Sequence, residues 1–303
     1  MNVLLVALAM DLTLGEPANR WHPVAWIGRL LGRGVRLAPQ GPPWVLLLHG
    51  ALLVLIGTAV AAAAAWLVAA RVSGWPVLGL LVEAWLLKCT FSVRRLFGAV
   101  GEVQRALAGG RLEGARRALG LHLVSRPTED LDEGAAASAA VESLAENLTD
   151  SVVAPLCFFA VGGLPAAWAY RAVNTADAMI GYRDGRLEHL GKLAARLDDA
   201  LNLLPARLAA AALVAGAWGA GESGRGAWRV WRRDGGLTAS PNAGQTMAAM
   251  AGALGVTLAK RGHYRLGAGP APDAAGIERA LAVARWACGL CLAAAVLAVA
   301  ILR

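Results

Sequence analysis

Charge is what this sequence is short of. Only 17% of its 303 residues are Asp, Glu, Lys or Arg, against about 25% in soluble globular domains. The deficit is concentrated: Leu37 to Ala70 carries no such residue, and neither does Trp286 to Leu302. A run of about 20 apolar residues crosses a bilayer core. Residues 44–70 are therefore expected to span. Residues 286–302 sit at the short end of the range, with Arg285 and Arg303 as interfacial anchors and a Trp at one end. A soluble globular chain is excluded.

Other absences narrow the function. Four cysteines are present, and Cys288-x-x-Cys291 lies inside the terminal apolar run with no second pair or polar setting, which excludes a zinc or redox motif. No Walker A motif occurs: Gly185 to Leu193 has the wrong spacing and lacks the Ser or Thr. No G-x-S-x-G nucleophile elbow is present. The first 17 residues lack the basic region and cleavage site of a signal peptide, so they are expected to stay as a short membrane-embedded helix. No strand alternation and no internal repeat is found. The expected fold is all-α, a polytopic integral membrane helical protein with amphipathic cytoplasmic helices, in one domain over 1–303.

The net charge of +8 points to membrane orientation rather than nucleic acid, because no basic stretch is interleaved with aromatics. Apolar stretches fall at 1–14, 44–70, 72–87, 151–170, 200–221 and 286–302. Eight Lys and Arg lie in 88–150, six in 171–207 and nine in 222–285. If both 151–170 and 200–221 crossed, the middle basic segment would face outward, against the positive-inside bias. The run 151–170 contains Pro155, Gly162-Gly163 and Pro165, so it is expected to be broken or re-entrant, with the basic segments toward the cytoplasm. Residues 91–121 repeat Leu96, Val100, Val103 and Leu107, then Leu112, Ala115 and Leu119, at helical spacing. Gly109-Gly110 splits them into a helix hairpin.

Chemistry-bearing residues gather in a few places. From Pro127 to Tyr170 there are seven acids and no Lys or Arg. Glu142, Glu146 and Asp150 are spaced i, i+4, i+8, one stripe of a helix in which like charges repel. A solvated face usually mixes signs, so something positive is expected to compensate the acids, a divalent ion or Arg from elsewhere; Mg²⁺ suits an oxygen-only set. Next, Arg171, Asn174 and Asp177 share a helical face, followed by Tyr182, Lys192, Asp198 and Asp199. Acids at a helix start are favoured by the helix dipole, which is the plain reading of the last two. Asn202 and Arg207 lie within an apolar run, where polar groups are costly. Ser240-Pro241-Asn242-Ala243-Gly244 reads as a helix start able to present N–H groups to an anion. His22 follows the first apolar stretch and taken alone is an ordinary interfacial histidine.

Several strings resemble the CobD/CbiB family of cobalamin (vitamin B12) biosynthesis. They are Asp11-Leu-Thr-Leu-Gly-Glu-Pro17, His22-Pro-Val-Ala-Trp-Ile-Gly28, Ala140-Val-Glu-Ser-Leu-Ala-Glu-Asn-Leu-Thr-Asp150, Tyr170-Arg-Ala-Val-Asn-Thr-Ala-Asp177, Asn202-Leu-Leu-Pro-Ala-Arg-Leu208 and Ser240-Pro-Asn-Ala-Gly244. A Gly-Arg-Asp-Thr-like string reads Ser125-Arg126-Pro127-Thr128 here, departing at 125 and 127. The resemblance implies adenosylcobinamide-phosphate synthase activity, in which adenosylcobyric acid is joined to aminopropanol or its O-phosphate with ATP. With that chemistry, Mg²⁺ is expected on Glu142, Glu146 and Asp150. His22, Arg126, Arg171, Tyr182, Lys192, Arg207, Ser240 and Asn242 would contact substrate or phosphate. Asp177, Asp198 and Asp199, with Asn174 and Asn202, would serve the chemistry. The expected setting is the cytoplasmic (inner) membrane with the site on its cytoplasmic face, among membrane lipids and other membrane enzymes of late cobalamin synthesis. The alternative is a transporter or sensor protein related to the family, for which paired half-repeats are missing.

Overall fold

A computed structural model describes residues 1–302; Arg303, expected as an interfacial anchor, lies outside the described residues. The chain is almost wholly helical: α1 (Asn2–Leu14), α2 (Pro23–Arg36), α3 (Pro43–Val72), α4 (Pro76–Lys88), α5 (Val93–Ala108), α6 (Leu112–His122) and α7 (Glu133–Leu148) come first. A π-helical turn, Thr149–Val153, leads into α8 (Ala154–Ile180). Then follow α9 (Leu187–Leu190), α10 (Lys192–Leu201), α11 (Leu203–Gly219), α12 (Gly224–Asp234), α13 (Ala243–Leu254), strands β1 (Thr257–Lys260) and β2 (Tyr264–Gly267), and α14 (Ala274–Leu302).

Four elements are long and apolar enough to cross a membrane: Pro43–Val72, Pro76–Ala108, Glu133–Ile180 and Ala274–Leu302. A fifth would be α10 and α11 taken together as one broken span. The all-α membrane protein expected from the sequence is the one observed, and the expected spans 44–70 and 286–302 both lie inside candidate spans. The stretch 151–170 is broken as its Pro and Gly content suggests: α8 is interrupted at Gly163, which has φ 66° and ψ −156°, two residues before Pro165.

One expectation is corrected. A two-stranded antiparallel hairpin is present, pairing Thr257 with Gly267 and Lys260 with Tyr264. Four-residue strands are too short for alternation to stand out in sequence. The helix that follows Ser240-Pro241 stops where Gly255 takes the left-handed conformation, φ 66°, that ends a helix.

The chain divides into two compact units, each assembled from separated stretches. Unit 1 comprises 1–92, 154–201 and the chain from Ala295 on. In it α3 packs along α8, α1 along α4, and α2 and α10 close over a core of Leu31, Val54, Ala176, Ile180 and Ala194. Unit 2 comprises 93–153 and 202–294. Here α12 and α13 approach so closely that a Cβ on Gly226 would lie 2.4 Å from the Gly252 carbonyl oxygen, and the reverse holds at 2.4 Å. Only glycine permits that spacing, the same small-residue logic that joins helices in membranes. Alanine-rich α7 is buried from Ala136 to Ala145.

Candidate functional site

In unit 1, the turn between α1 and α2 folds over the C-terminal end of α4. Asp11 and Lys88 are buried there, their side chains 1% and 2% exposed. Lys88 Nζ lies 2.8 Å from Glu16 Oε2 and 3.8 Å from Asp11 Oδ1. His22 caps α2: its Nδ1 accepts from the Val24 N–H at 3.2 Å. An accepting Nδ1 leaves the ring proton on Nε2 in the neutral form, and Nε2 donates to Glu16 Oε2 at 2.8 Å. Burial pushes the Glu16 carboxyl up, but hydrogen bonds from His22, Lys88 and Ser92 and the Lys88 charge outweigh it and hold it at about 2. His22 is thus joined to three residues outside the expected site set, of which Asp11 and Glu16 lie in the resemblance strings. Lys88 passes unnoticed in the sequence because it ends an apolar run and counts as one more orienting charge.

A second set in unit 1 links α8 to α10. Arg171 Nη1 donates to Asn174 Oδ1 at 3.1 Å, and Asn174 Nδ2 donates to Asp198 Oδ1 at 3.1 Å. The Arg171 Nε is buried with no hydrogen-bond partner among the described residues. This row brings together three of the expected residues. Asp177 lies farther along the same helix, and its side chain crowds Gly181 so closely that no Cβ would fit there. Asp199 neighbours Asp198 on α10 and is partly buried, whereas Tyr182 and Lys192 are exposed.

In unit 2 the centre is Glu142 on α7. Its Oε1 accepts from Ser138 Oγ at 2.6 Å, its Oε2 from the Tyr264 hydroxyl at 2.7 Å, and Arg126 Nη2 stands 4.0 Å away. Ser138 Oγ accepts the Ala259 N–H from β1 at 3.1 Å, so the carboxylate and the hairpin are one assembly. Burial, then the Glu142 charge and hydrogen bond and the Glu146 charge, push the Tyr264 hydroxyl far up, and Tyr264 stays neutral. Tyr264 and Ser138 are missed by sequence reasoning; the chain has only three tyrosines, but this one sits in the unread strand. Elsewhere in this unit, Arg207 Nη1 donates to Asn242 Oδ1 at 3.3 Å and to the Leu203 carbonyl at 2.7 Å. Asn202 is buried at the start of α11, and the Asn242 N–H donates to Ser240 Oγ at 3.3 Å.

The three-carboxylate Mg²⁺ site is not assembled. Among the described residues no group of three or more His, Cys, Asp or Glu is placed to hold a metal ion. From Thr149 the helix is π rather than α, so the i, i+4, i+8 stripe does not run on one continuous α-helix. Both oxygens of Glu142 accept hydrogen bonds, from Ser138 and Tyr264. The residues present do not form a three-carboxylate cage. None of Cys89, Cys157, Cys288 and Cys291 is joined in a disulfide.

A helical membrane protein with polar networks sunk among its helices is the class that these features define. The chain belongs to the CobD/CbiB family: the model of the CobD/Cbib protein family matches residues 4–296. It is 41% identical over 266 residues to the cobalamin biosynthesis protein CobD of Dehalococcoides mccartyi, covering 88% of this chain and 86% of that protein. It is 41% identical to the CobD protein of Chromobacterium violaceum, over 97% of this chain and 96% of the relative. For that of Geobacter metallireducens the figures are 43%, 86% and 82%. No solved structure matches the chain. Membership supports a role in cobalamin synthesis.

Proposed function

We propose that the chain is an amide-forming ligase of the cytoplasmic membrane, its site on the cytoplasmic face. It joins the free carboxylate of adenosylcobyric acid to aminopropanol or its O-phosphate at the expense of ATP. The observation that carries the reading is the row Arg171–Asn174–Asp198. A guanidinium is fixed through Asn174 while its Nε–H stays buried and unpartnered among the described residues. Such a group is suited to an anion, since Arg presents planar paired donors to carboxylate or phosphate.

In the proposed reaction the corrinoid carboxylate attacks the γ-phosphorus of ATP, releasing ADP and leaving an acyl phosphate. The amine then attacks the acyl carbon, the C–N bond forms and phosphate departs. Arg171, Lys192 and Arg207 would offset phosphate charge. Asp198, Asp199 or Asp177 would take the proton released from the attacking amine. Arg126, His22, Tyr182, Ser240 and Asn242 remain candidate substrate contacts, and Asn202 a candidate for orientation. Mg²⁺ is proposed to arrive on the ATP phosphates, the usual mode for this ion, with at most one or two carboxylates from the protein.

The test uses the full chain purified in detergent, supplied with adenosylcobyric acid, ATP and each amine in turn. Amide formation coupled to ADP release is expected without any sealed compartment. A protein that forms no amide in detergent but moves corrinoid across proteoliposomes would be a transporter, and the ligase reading would be lost.

A further inference from the structure

An apolar groove of about 660 Å³ runs along unit 1. Trp26 and Leu30 of α2 form one wall, α3 from Leu53 to Val68 the other, with Trp85 and Trp168 between. The apolar stretch of α3 from Trp44 to Ala70 rises about 40 Å, enough to cross a bilayer's hydrocarbon core of about 30 Å. Only 11% of the most apolar part of α3 is buried in the protein. The groove therefore opens where acyl chains would lie.

The position of α2 sets what stands at one end of it. Gly34 packs against the Leu53 side chain, and its carbonyl is hydrogen-bonded to His49 Nε2 at 2.9 Å. The C-terminal end of α2 thus lies against His49 and Leu53 of α3, at one end of the groove. Arg29, Arg33 and Arg36 are exposed on this helix. At about 100° per residue they occupy one strip beside the Trp26 edge of the groove. No Asp or Glu occurs between Glu16 and Glu83, and among the described residues none of the three arginines forms an ion pair. Arg29 reaches the Asn19 carbonyl at 3.3 Å.

The geometry points to a binding site for one anionic phospholipid, with an acyl chain in the groove and the phosphate on Arg33 and Arg36. An apolar channel ending at unpaired cations complements a molecule with a charged phosphate on a hydrocarbon tail. Guanidinium groups suit that phosphate, and anionic lipids enrich the cytoplasmic leaflet to which basic segments are drawn. The inference is independent of the ligase reading.

Native mass spectrometry of the full chain, exchanged into micelles holding phosphatidylglycerol and phosphatidylcholine with identical chains, tests it. One phosphatidylglycerol should be retained per chain, preferred by about tenfold, a difference of about 1.4 kcal/mol. R33Q/R36Q should bring the two lipids to near parity, and Ala64→Phe, which fills the groove from α3, should remove both. Should either variant fail to fold, the unaltered protein still decides: raising salt from about 0.1 M to about 1 M should weaken the preference, because exposed charges are screened. Equal retention of both headgroups, retention unaffected by the variants, or stoichiometric displacement by corrinoid would each overturn the assignment.

Discussion

The two units solve the same problem differently. Each buries carboxylate within a helical packing. Unit 1 answers Asp11 and Glu16 with a full cation, Lys88, and with His22. Unit 2 answers Glu142 with two neutral hydroxyls, from Ser138 and Tyr264, and keeps Arg126 at 4.0 Å. A buried ion pair is fragile to the loss of one partner, because the other charge is stranded. A carboxylate held by hydroxyls gains less from each donor and loses less when one goes. Unit 1's network therefore behaves as a fastening, and unit 2's as an adjustable polar centre.

The largest test of that contrast is Lys88→Met. It strands two acids and should cost about 3–5 kcal/mol, read as a fall in the thermal midpoint of the purified protein. Adding Asp11→Asn and Glu16→Gln should recover much of the loss. Should Lys88→Met melt like the unaltered protein, the fastening does not exist. Next comes Arg171→Gln, which removes the proposed anion donor: amide formation should drop by at least about 100-fold, some 3 kcal/mol of transition-state stabilisation, with the melting point nearly unchanged. Unit 2 should yield less. Tyr264→Phe removes one hydrogen bond to a charged group, worth about 1.5–3 kcal/mol, and Glu142→Gln in the same background should restore part of it.

A further effect is in pH. The Glu16 carboxyl sits below its ordinary 4.5, at about 2. A depressed carboxyl stabilises the fold above its unfolded value and loses that contribution as pH falls through the folded one. Glu16 should thus contribute no pH dependence between pH 7 and pH 5, then a progressive loss from about 4.5 toward 2. Lys88→Met should flatten that window; a window unchanged by the mutation would mean that something other than Lys88 holds the carboxyl down.

Much of this molecule is legible in its sequence, and what is not has identifiable causes. The spans α3 and α14 follow from uninterrupted apolar runs, and the α5–α6 hairpin from periodicity and Gly109-Gly110. The Arg171–Asn174–Asp198 row was half visible, since i, i+3 spacing puts Arg171 and Asn174 on one face. That Asp198 meets them depends on α10 folding back along α8. Lys88 was hidden because its partners lie more than seventy positions earlier, at Asp11 and Glu16. The spacing of the acidic stripe assumes that α-helix continues, and at Thr149 it does not.

Gly163 has a mechanical consequence. With φ 66° and ψ −156°, it occupies a region that is essentially closed to residues with a side chain. It divides α8 into two rigid levers on one pin. Across the break Phe158 stacks on Tyr170 with ring centroids 5.1 Å apart, so the N-terminal lever stays tied to the turn that carries Arg171. Were this position alanine, about 1–3 kcal/mol of strain would press α8 toward another backbone path. The arginine would then be carried wherever the straightened rod pointed.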